Sequence, residues 1–358
     1  MTSQYHKIVV KIGSNVLSLS DGTPDLDHMK SLVHQIANLK RDGKEVILVS
    51  SGAVAFGRSS GIMADVKDEI ARRQVWASLG QVRMIREYQK YFEKENMLCS
   101  QVLVTRDDFR SRRHYLNMRQ CLHHLTSQAI LPIINENDVV SVTELMFTDN
   151  DELAGLVAAM VEADALIILT NVAGVYNGNP SESTSHLVEK FFPGESIPES
   201  ILTEHRSSFG RGGMKTKVGL AGKTARLGIS VHIANGRNPD VIRKILDGTE
   251  PHSHFLPSQT IDGRKKWIAY SQHFSAAYVV INEGAVKALR SEQATSLLPV
   301  GIVSITGDFV KGEVIKIVNS DSLVIALGKA QYDSSKAKER IGQNHQKPLV
   351  HYDYLYVL

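Results

Sequence analysis

The feature that most limits how this chain can fold is an alternation running through its first two thirds. Short, almost wholly apolar runs are separated by stretches with helical periodicity. Residues 46–49, 130–134 and 166–169 are nearly continuous apolar segments. Strands of that kind must be covered on both faces. Helices that link parallel strands supply the cover. Along the chain the pattern reads as strand Lys7–Ile12, a helix, then strand Glu45–Val49. Met29, Leu32, Val33, Ile36 and Leu39 form one apolar face of that helix, with Asp25 or Asp27 to cap its start and Gly43 to end it. Helical segments over 66–96 precede a strand at Leu98–Val104, and a helix at 112–127 precedes a strand at Ala129–Ile134. Helix Glu152–Val161, strand Ala165–Leu169, helix Met214–Leu227 and strand Ser230–Ala234 complete the series. The expected class is α/β, with a mainly parallel sheet sandwiched by helices.

The pattern changes near 251–259, where Pro251, His252, His254 and Pro257 interrupt it. Beyond lie short β-rich runs at Tyr278–Ile281, Gly301–Ile305, Gly312–Ile317 and Leu323–Leu327, punctuated by glycines. They predict a small β-barrel or sandwich holding one helix at 284–292, with a tail from about 335 that is helical and then irregular. The expected organisation is a first domain over 1–255, a linker over 256–262 and a second domain with the tail over 263–358. A length of 358 residues suits about two domains. Charged residues at 22% and apolar residues at 42% describe a soluble globular chain and exclude disorder as the main state. Lys+Arg minus Asp+Glu is 41 − 38, or +3, too mild for a nucleic-acid coat or a polybasic membrane anchor. No run reaches the roughly 18 apolar residues of a membrane span; Leu153–Leu169 contains Glu162 and Asp164. The N-terminus has no signal-peptide pattern. Cys99 and Cys121 form neither a metal-ligand pattern nor a disulfide scaffold, so a reducing cytoplasm is the expected compartment.

Several polar groups follow the apolar strands. Lys11-Ile12-Gly13-Ser14-Asn15 ends the first strand. It suits a phosphate, with a close-approaching glycine, turn amides and an ammonium group; it suits a solvated lysine before a turn equally. Val49-Ser50-Ser51-Gly52-Ala53 ends the second strand, either as a ligand loop beyond a strand's carboxyl end or as a tight turn. Asn135-Glu136-Asn137-Asp138 puts four polar residues after a third strand, suited to the amino group of a small substrate or to a plain polar loop. Asp149-Asn150-Asp151-Glu152 precedes an apolar helix, where Asp151 is a candidate N-cap, although a cap requires one such residue and three stand in succession. Gly210-Arg211-Gly212-Gly213-Met214-Lys215-Thr216-Lys217 precedes another helix and reads as an anion-binding turn or a surface loop. Leu169-Thr170-Asn171 closes a strand where a nucleotide could rest. No Ser-His-Asp order or zinc-ligand spacing competes with these groups. Together they point to phosphoryl transfer, which depends on positioning and charge neutralisation.

These residues resemble the glutamate 5-kinases of the amino-acid kinase superfamily, over essentially the whole chain. The specific parts are Val10-Lys11-Ile12-Gly13-Ser14, Ser50-Ser51-Gly52-Ala53, Ile134-Asn135-Glu136-Asn137-Asp138, Asp149-Asn150-Asp151 and Gly212-Gly213-Met214-Lys215-Thr216-Lys217. The stretch from Arg264-Lys265-Lys266-Trp267 to Gly307-Asp308-Phe309 is similar to the PUA domain that many members carry. The resemblance implies the amino-acid kinase fold with a smaller β-rich PUA domain. It implies ATP as co-substrate, L-glutamate as acceptor, and glutamyl 5-phosphate, the first intermediate of proline biosynthesis, as product. Carried over by position, it implies that Lys11 and Lys217 neutralise the transferring phosphoryl group and that Asp151 holds them. It assigns the acceptor to Ser51, Asp138 and Asn150, with Gly52, Ala53, Asn135 and Asp149 nearby. It assigns ATP to Lys11, Gly13, Ser14, Thr170, Asn171, Arg211, Gly212, Gly213, Met214, Lys215, Thr216 and Lys217. Mg²⁺ is expected on the ATP phosphates, largely through water, with no protein metal site. Proline as a feedback inhibitor and a homo-oligomeric state are further expectations of the resemblance.

Two positions depart from the family pattern. Asn171 stands where an acidic residue is expected, and Arg211 where a small hydroxyl residue is common. Both bear on nucleotide affinity more than on reaction type. The competing readings are another superfamily member, such as an acetylglutamate, aspartate or uridylate kinase, and an RNA-binding PUA protein. The β-rich second domain and Asn135-Glu136-Asn137-Asp138 favour the glutamate enzyme. The RNA reading rests on the resemblance to PUA domains, which elsewhere often contact RNA, and on the basic and aromatic mixture at 264–267, which reads equally as a solvated face.

Overall fold

The computed structural model describes residues 5–61, 68–140, 147, 149–179, 182, 184–193, 195, 213–258, 263–270, 277–291 and 295–358. The chain divides into two compact units, one of residues 1–106 and 118–260, the other of 107–117 and 261–358.

The first unit is organised by an eight-stranded sheet of β1 (Lys7–Ile12), β2 (Glu45–Ser50), β3 (Cys99–Val104), β4 (Leu131–Glu136), β5 (Ala165–Thr170), β6 (Lys190–Phe191), β7 (Ser230–Asn235) and β8 (Ser253–Phe255). The order across the sheet is β3-β4-β2-β1-β5-β7-β8-β6. β1 lies parallel to β2 on one side and to β5 on the other. The chain therefore winds outward in both directions from β1, and the carboxyl ends of β1, β2, β4 and β5 share one edge. Ligands in open parallel sheets bind at such a switch point. β8 runs antiparallel to β7. It occupies part of the region read from the sequence as a break in the pattern: Ser253 and Phe255 are buried between Pro251 and Pro257, and three residues are too few to carry a periodic signal.

Alternation along the strands separates two helical layers. Ile8, Val10 and Ile12 of β1 and Val46 and Leu48 of β2 share a core with α1 (Leu26–Arg41), α3 (Glu69–Lys94) and α8 (Val241–Asp247). α1 starts at Asp25, whose carboxylate accepts from the His28 amide, so of the two candidate caps Asp25 is the one used. The odd-numbered residues of β1, Lys11 among them, face the other way. That face is covered by α6 (Asn150–Met160), which packs on β1, β2, β4 and β5 and against α7 (Met214–Arg226). α6 is buried at nearly every position, which explains its all-round apolar sequence from Leu153 to Met160.

The short helix α2 (Ala53–Arg58) crosses α3 with backbone touching backbone. A Cβ on Gly80 would stand 1.7 Å from the Ala53 carbonyl oxygen, and one on Gly57 would stand 1.9 Å from that of Trp76. Glycine at these two positions sets how close α2, and the loop that begins it, can come to α3.

The second unit holds a five-stranded sheet of β9 (Tyr278–Ile281), β10 (Ile302–Thr306), β11 (Val314–Val318), β12 (Val324–Ala330) and β13 (Val350–Val357), in the order β10-β9-β11-β12-β13. α10 (Glu283–Leu289) and α11 (Ser334–Glu339) accompany it. β13 corrects the expectation of an irregular tail: it pairs antiparallel with β12 from Val357↔Ala326 to Val350↔Ala330. Val350 and Leu355 are buried; the intervening polar residues hide the strand in the sequence. In α9 (Gly263–Tyr270), Lys266 and Trp267 are each 3% exposed. The Trp267 indole donates to the Phe109 carbonyl and lies 4.9 Å from the Arg112 guanidinium. A buried indole cannot serve as a stacking surface for a base, so the aromatic of the 264–267 segment does not support the RNA reading.

The α2–α3 contact gives a stability test. Gly80→Ala must push α2 away from α3, at a cost of about 3 kcal/mol. Thermal or denaturant unfolding should register it as a clear loss, whereas Gly219→Ala, on an exposed face with open space around it, should be neutral or mildly stabilising.

Candidate active site

The sheet edge brings together residues far apart in sequence. Lys11 stands one residue from the end of β1 and is 5% exposed. A lysine this deep requires a partner, and the partner is Asp151 in the first turn of α6. Lys11 Nζ lies 2.5 Å from Asp151 Oδ1, and Lys217 Nζ, from the first turn of α7, lies 2.7 Å from Asp151 Oδ2. One fully buried carboxylate thus holds two ammonium groups, one on each oxygen. Burial alone would raise the Asp151 pKa, but the two lysines outweigh it and hold the group well below the ordinary carboxylate range. Lys217 is shifted upward: burial works against its charge, and Asp151 and then Asp149 overcome it. Two ammonium groups facing one carboxylate leave a formal charge of one positive at the rim.

Asp151 is not the N-cap of α6, contrary to one sequence reading. Asp149 caps the helix, and its Oδ1 accepts from the amides of Asp151 and Glu152. Asp151 is released from that task and points its carboxylate toward β1. Asp149 Oδ2 is buried and has no hydrogen-bond partner among the described residues. Burial, and next the charge of Asp151, push the Asp149 pKa up to about 6, against the pull of Lys217 and Lys11.

The middle residue of the acidic run serves a different pocket. Asn150 Nδ2 donates to Ser51 Oγ at 2.8 Å and to Asn135 Oδ1 at 2.9 Å. Ser51 follows β2, and Asn135 lies near the end of β4. Gly52 has φ +113°, a conformation that glycine adopts readily, and it turns the chain from β2 into α2 at Ala53. Asp138, just beyond β4, makes an ion pair with Arg73 of α3 at 3.2 Å, and burial raises its pKa against the opposing charge of that arginine. Glu136 accepts from the Phe147 amide and so belongs to the loop's own structure.

On the other side of β1, the Gly13 amide donates to the Leu169 carbonyl, tying the β1 turn to β5. A Cβ there would meet that carbonyl at 3.2 Å and Lys11 Nζ at 3.5 Å. Ser14 opens the turn that follows. Thr170 ends β5 and donates from its hydroxyl to Asn171 Oδ1. Gly213 caps α7 without a side chain, and Met214, Lys215 and Thr216 form the helix's first turn with Lys217. Lys215 is exposed and Lys217 is not. Two positions apart on a helix, they point about 200° apart, so only Lys217 reaches Asp151. Arg211 and Gly212 lie outside the described residues.

Sequence reasoning missed Gln81, Arg73 and Tyr88, all on α3. Gln81 accepts from Asn135 Nδ2 at 2.9 Å. Tyr88 shares a 2.8 Å hydrogen bond with the buried Ser50 hydroxyl, and burial pushes its phenol well above 10. Nothing in their spacing flags them, because they reach the site from the side of a long amphipathic helix.

Residues 6–235 match the amino acid kinase family and residues 277–351 match the PUA domain. Over its full length the chain is 44% identical to a protein named glutamate 5-kinase from Bacteroides thetaiotaomicron, with all of both chains covered. It is 45% identical to one of the same name from Chlorobaculum tepidum, over 99% of this chain and 98% of that protein. A third, from Trichlorobacter lovleyi, is 37% identical over 100% of this chain and 98% of its own length.

The raised pKa of Asp149 makes a signed prediction. The folded state holds this proton up to about pH 6, whereas an unfolded aspartate loses it near 3.9. The contribution of this group to stability therefore declines as pH rises from about 4 to 6 and stays lower above that. Asp149→Asn keeps a capping side chain and removes the buried charge. It should be more stable than wild type at pH 7 by on the order of 2 kcal/mol, with the gain vanishing near pH 4. Urea unfolding at the two pH values reads this directly; a variant less stable at pH 7 would show that the Asp149 charge stabilises the fold.

Proposed function

The chain belongs to the amino acid kinase family, and on that premise we propose that it transfers the γ-phosphoryl group of ATP to the side-chain carboxylate of L-glutamate, as a glutamate 5-kinase. The observation that carries the reading is the pair of lysines, Lys11 buried and Lys217 half-buried, held on one aspartate at the switch point of the sheet. A glutamate carboxylate, with a pKa of about 4.3, is ionised at neutral pH and needs no general base. What opposes reaction is repulsion between that carboxylate and the triphosphate. Preorganised cations aimed at the transferring group answer this without reorganisation at the moment of reaction. The carboxylate oxygen bonds to the γ-phosphorus as the bond to the β–γ bridging oxygen breaks, giving glutamyl 5-phosphate and ADP.

Each side of β1 has its part in this reading. Ser51, Asn135, Asp138, Asp149 and Asn150, with the backbone of Gly52 and Ala53, receive glutamate. The buried Oδ2 of Asp149, which has no hydrogen-bond partner among the described residues, is an acceptor suited to the amino acid's ammonium. Gly13, Ser14, Thr170, Asn171 and the first turn of α7 receive the nucleotide, with the amino end of that helix favouring phosphate. Asn171 contributes a hydrogen bond without charge. Mg²⁺, when bound, would supply further positive charge to the ATP phosphates. The described residues contain no cluster of three or more His, Cys, Asp or Glu arranged as a metal site, and the ion would be held by the ATP phosphates and water. No helix among the described residues is long and apolar enough to cross a membrane, and the cytoplasm, where ATP and glutamate are abundant, is the compartment this reaction suits.

An assay that traps acyl phosphate with hydroxylamine tests the reading. Product should require both ATP and free L-glutamate, and a comparable signal from N-acetylglutamate alone would reverse the substrate assignment. Lys217→Ala should lower kcat by about a hundredfold or more. Undiminished turnover in that variant would take Lys217 out of the mechanism.

A further inference from the structure

We propose that Gln81, on α3 and outside every motif of the family resemblance, is a positioning residue that fixes the hydrogen-bond polarity of the glutamate pocket. The inference rests on the assignment of that pocket to glutamate.

A primary amide has two N–H donors and one carbonyl acceptor, and its two ends are nearly the same size. Asn135 is 2% exposed. Its Nδ2 donates to Gln81 Oε1 at 2.9 Å, which leaves its Oδ1 toward Asn150. Asn150 answers with Nδ2, at 2.9 Å, and the same nitrogen donates to Ser51 Oγ at 2.8 Å. Both Asn150 donors are then used. Its Oδ1 has no partner among the described residues, and Ser51, having accepted, keeps its own proton to donate. The pocket offers an acceptor, suited to an ammonium, beside a hydroxyl donor, suited to a carboxylate. Glutamate carries both groups on its α-carbon.

Without an acceptor at position 81, the Asn135 amide can turn over and present Nδ2 to Asn150. Asn150 must then turn its Oδ1 to Asn135, and its N–H groups face the incoming ammonium. The pocket keeps its shape and loses its sense of direction. Gln81 acts only through Asn135 and touches neither the lysine pair nor the nucleotide residues, so the effect falls on glutamate binding.

The test measures steady-state kinetics of full-length wild type, Gln81→Met, Gln81→Lys and Gln81→Glu with the acyl-phosphate assay. Methionine has nearly the same length and no comparable acceptor, and lysine places a donor there. Each should raise KM for glutamate about tenfold, with kcat and KM for ATP within about twofold of wild type. Glutamate at position 81 can only accept, so Gln81→Glu should stay within about threefold of wild type for all three constants. An unchanged glutamate KM in Gln81→Met or Gln81→Lys overturns the proposal. So does a Gln81→Glu variant as impaired as either of them, and so does a loss shared equally by glutamate and ATP. Should one of the acceptor-free variants fail to fold, the other together with Gln81→Glu decides. A wild-type enzyme that gives no acyl phosphate from glutamate sinks the functional assignment instead, so the two failures are distinguishable.

Discussion

The structure of the rim depends on a single buried carboxylate with an ammonium group on each oxygen. Asp151 has no exposure, Lys11 is nearly as deep, and Lys217 is half-buried. Removing such a carboxylate would leave two cations facing each other, one of them buried, which is far costlier than losing a surface ion pair. The trio therefore has to be built in full, and the rest of the architecture serves it. β1 presents Lys11 on the face opposite its apolar core. α6 drives Asp151 into the space above β1, with Asp149 taking over the cap. The close approach of α7 to α6 brings Lys217 from the far side.

The arrangement is electrostatically biased rather than balanced. Two lysines against one strongly ionised aspartate leave positive charge at the rim, and Asp149, its pKa raised by burial and by Asp151, offsets it only partly at mildly acidic pH. Stability that would be gained by neutralising Asp149 is forgone to keep a carboxylate near the reacting groups. Functional sites commonly retain such unfavourable charges because they act on the ligand. Toward β2 and β4 the charged pair of Arg73 and Asp138 is joined by uncharged groups: a chain of amides from Gln81 through Asn135 and Asn150 to Ser51 gives direction to the pocket.

The α3 helix links these themes. Its apolar side completes the core with Met84, Tyr88 and Phe92. Its glycine at position 80 lets α2 approach to backbone contact, which determines where Ser51 and Gly52 lie. Arg73 and Gln81 reach toward Asp138 and Asn135 from the same helix. Core packing and site geometry are thus set by one element, so a change meant for one will be felt in the other.

The class of fold was legible in the sequence because it rests on local periodicity. Continuous apolar runs between amphipathic stretches leave little besides a covered parallel sheet, and the positions of Lys11, Ser51, Asn135, Asp149 to Asp151 and Lys217 beyond strand ends or at helix starts follow from that pattern together with the family resemblance. Three things were not legible. The strand β8 is too short for a period, and in β13 buried Val350 and Leu355 are diluted by less buried neighbours such as His351, Tyr352 and Asp353. The division of labour in the acidic run could not be read, because which of Asp149 and Asp151 caps the helix depends on where β1 lies beneath it. Gln81, Arg73 and Tyr88 enter the site through contacts spanning 38 to 65 positions, and no local rule encodes them. Sequence determined which chemistry stands at the ends of which elements. Tertiary structure alone decided which of those groups meet, because meeting depends on how closely α2, α3, α6 and α7 pack, and that is fixed by a few glycines and buried side chains acting over long range.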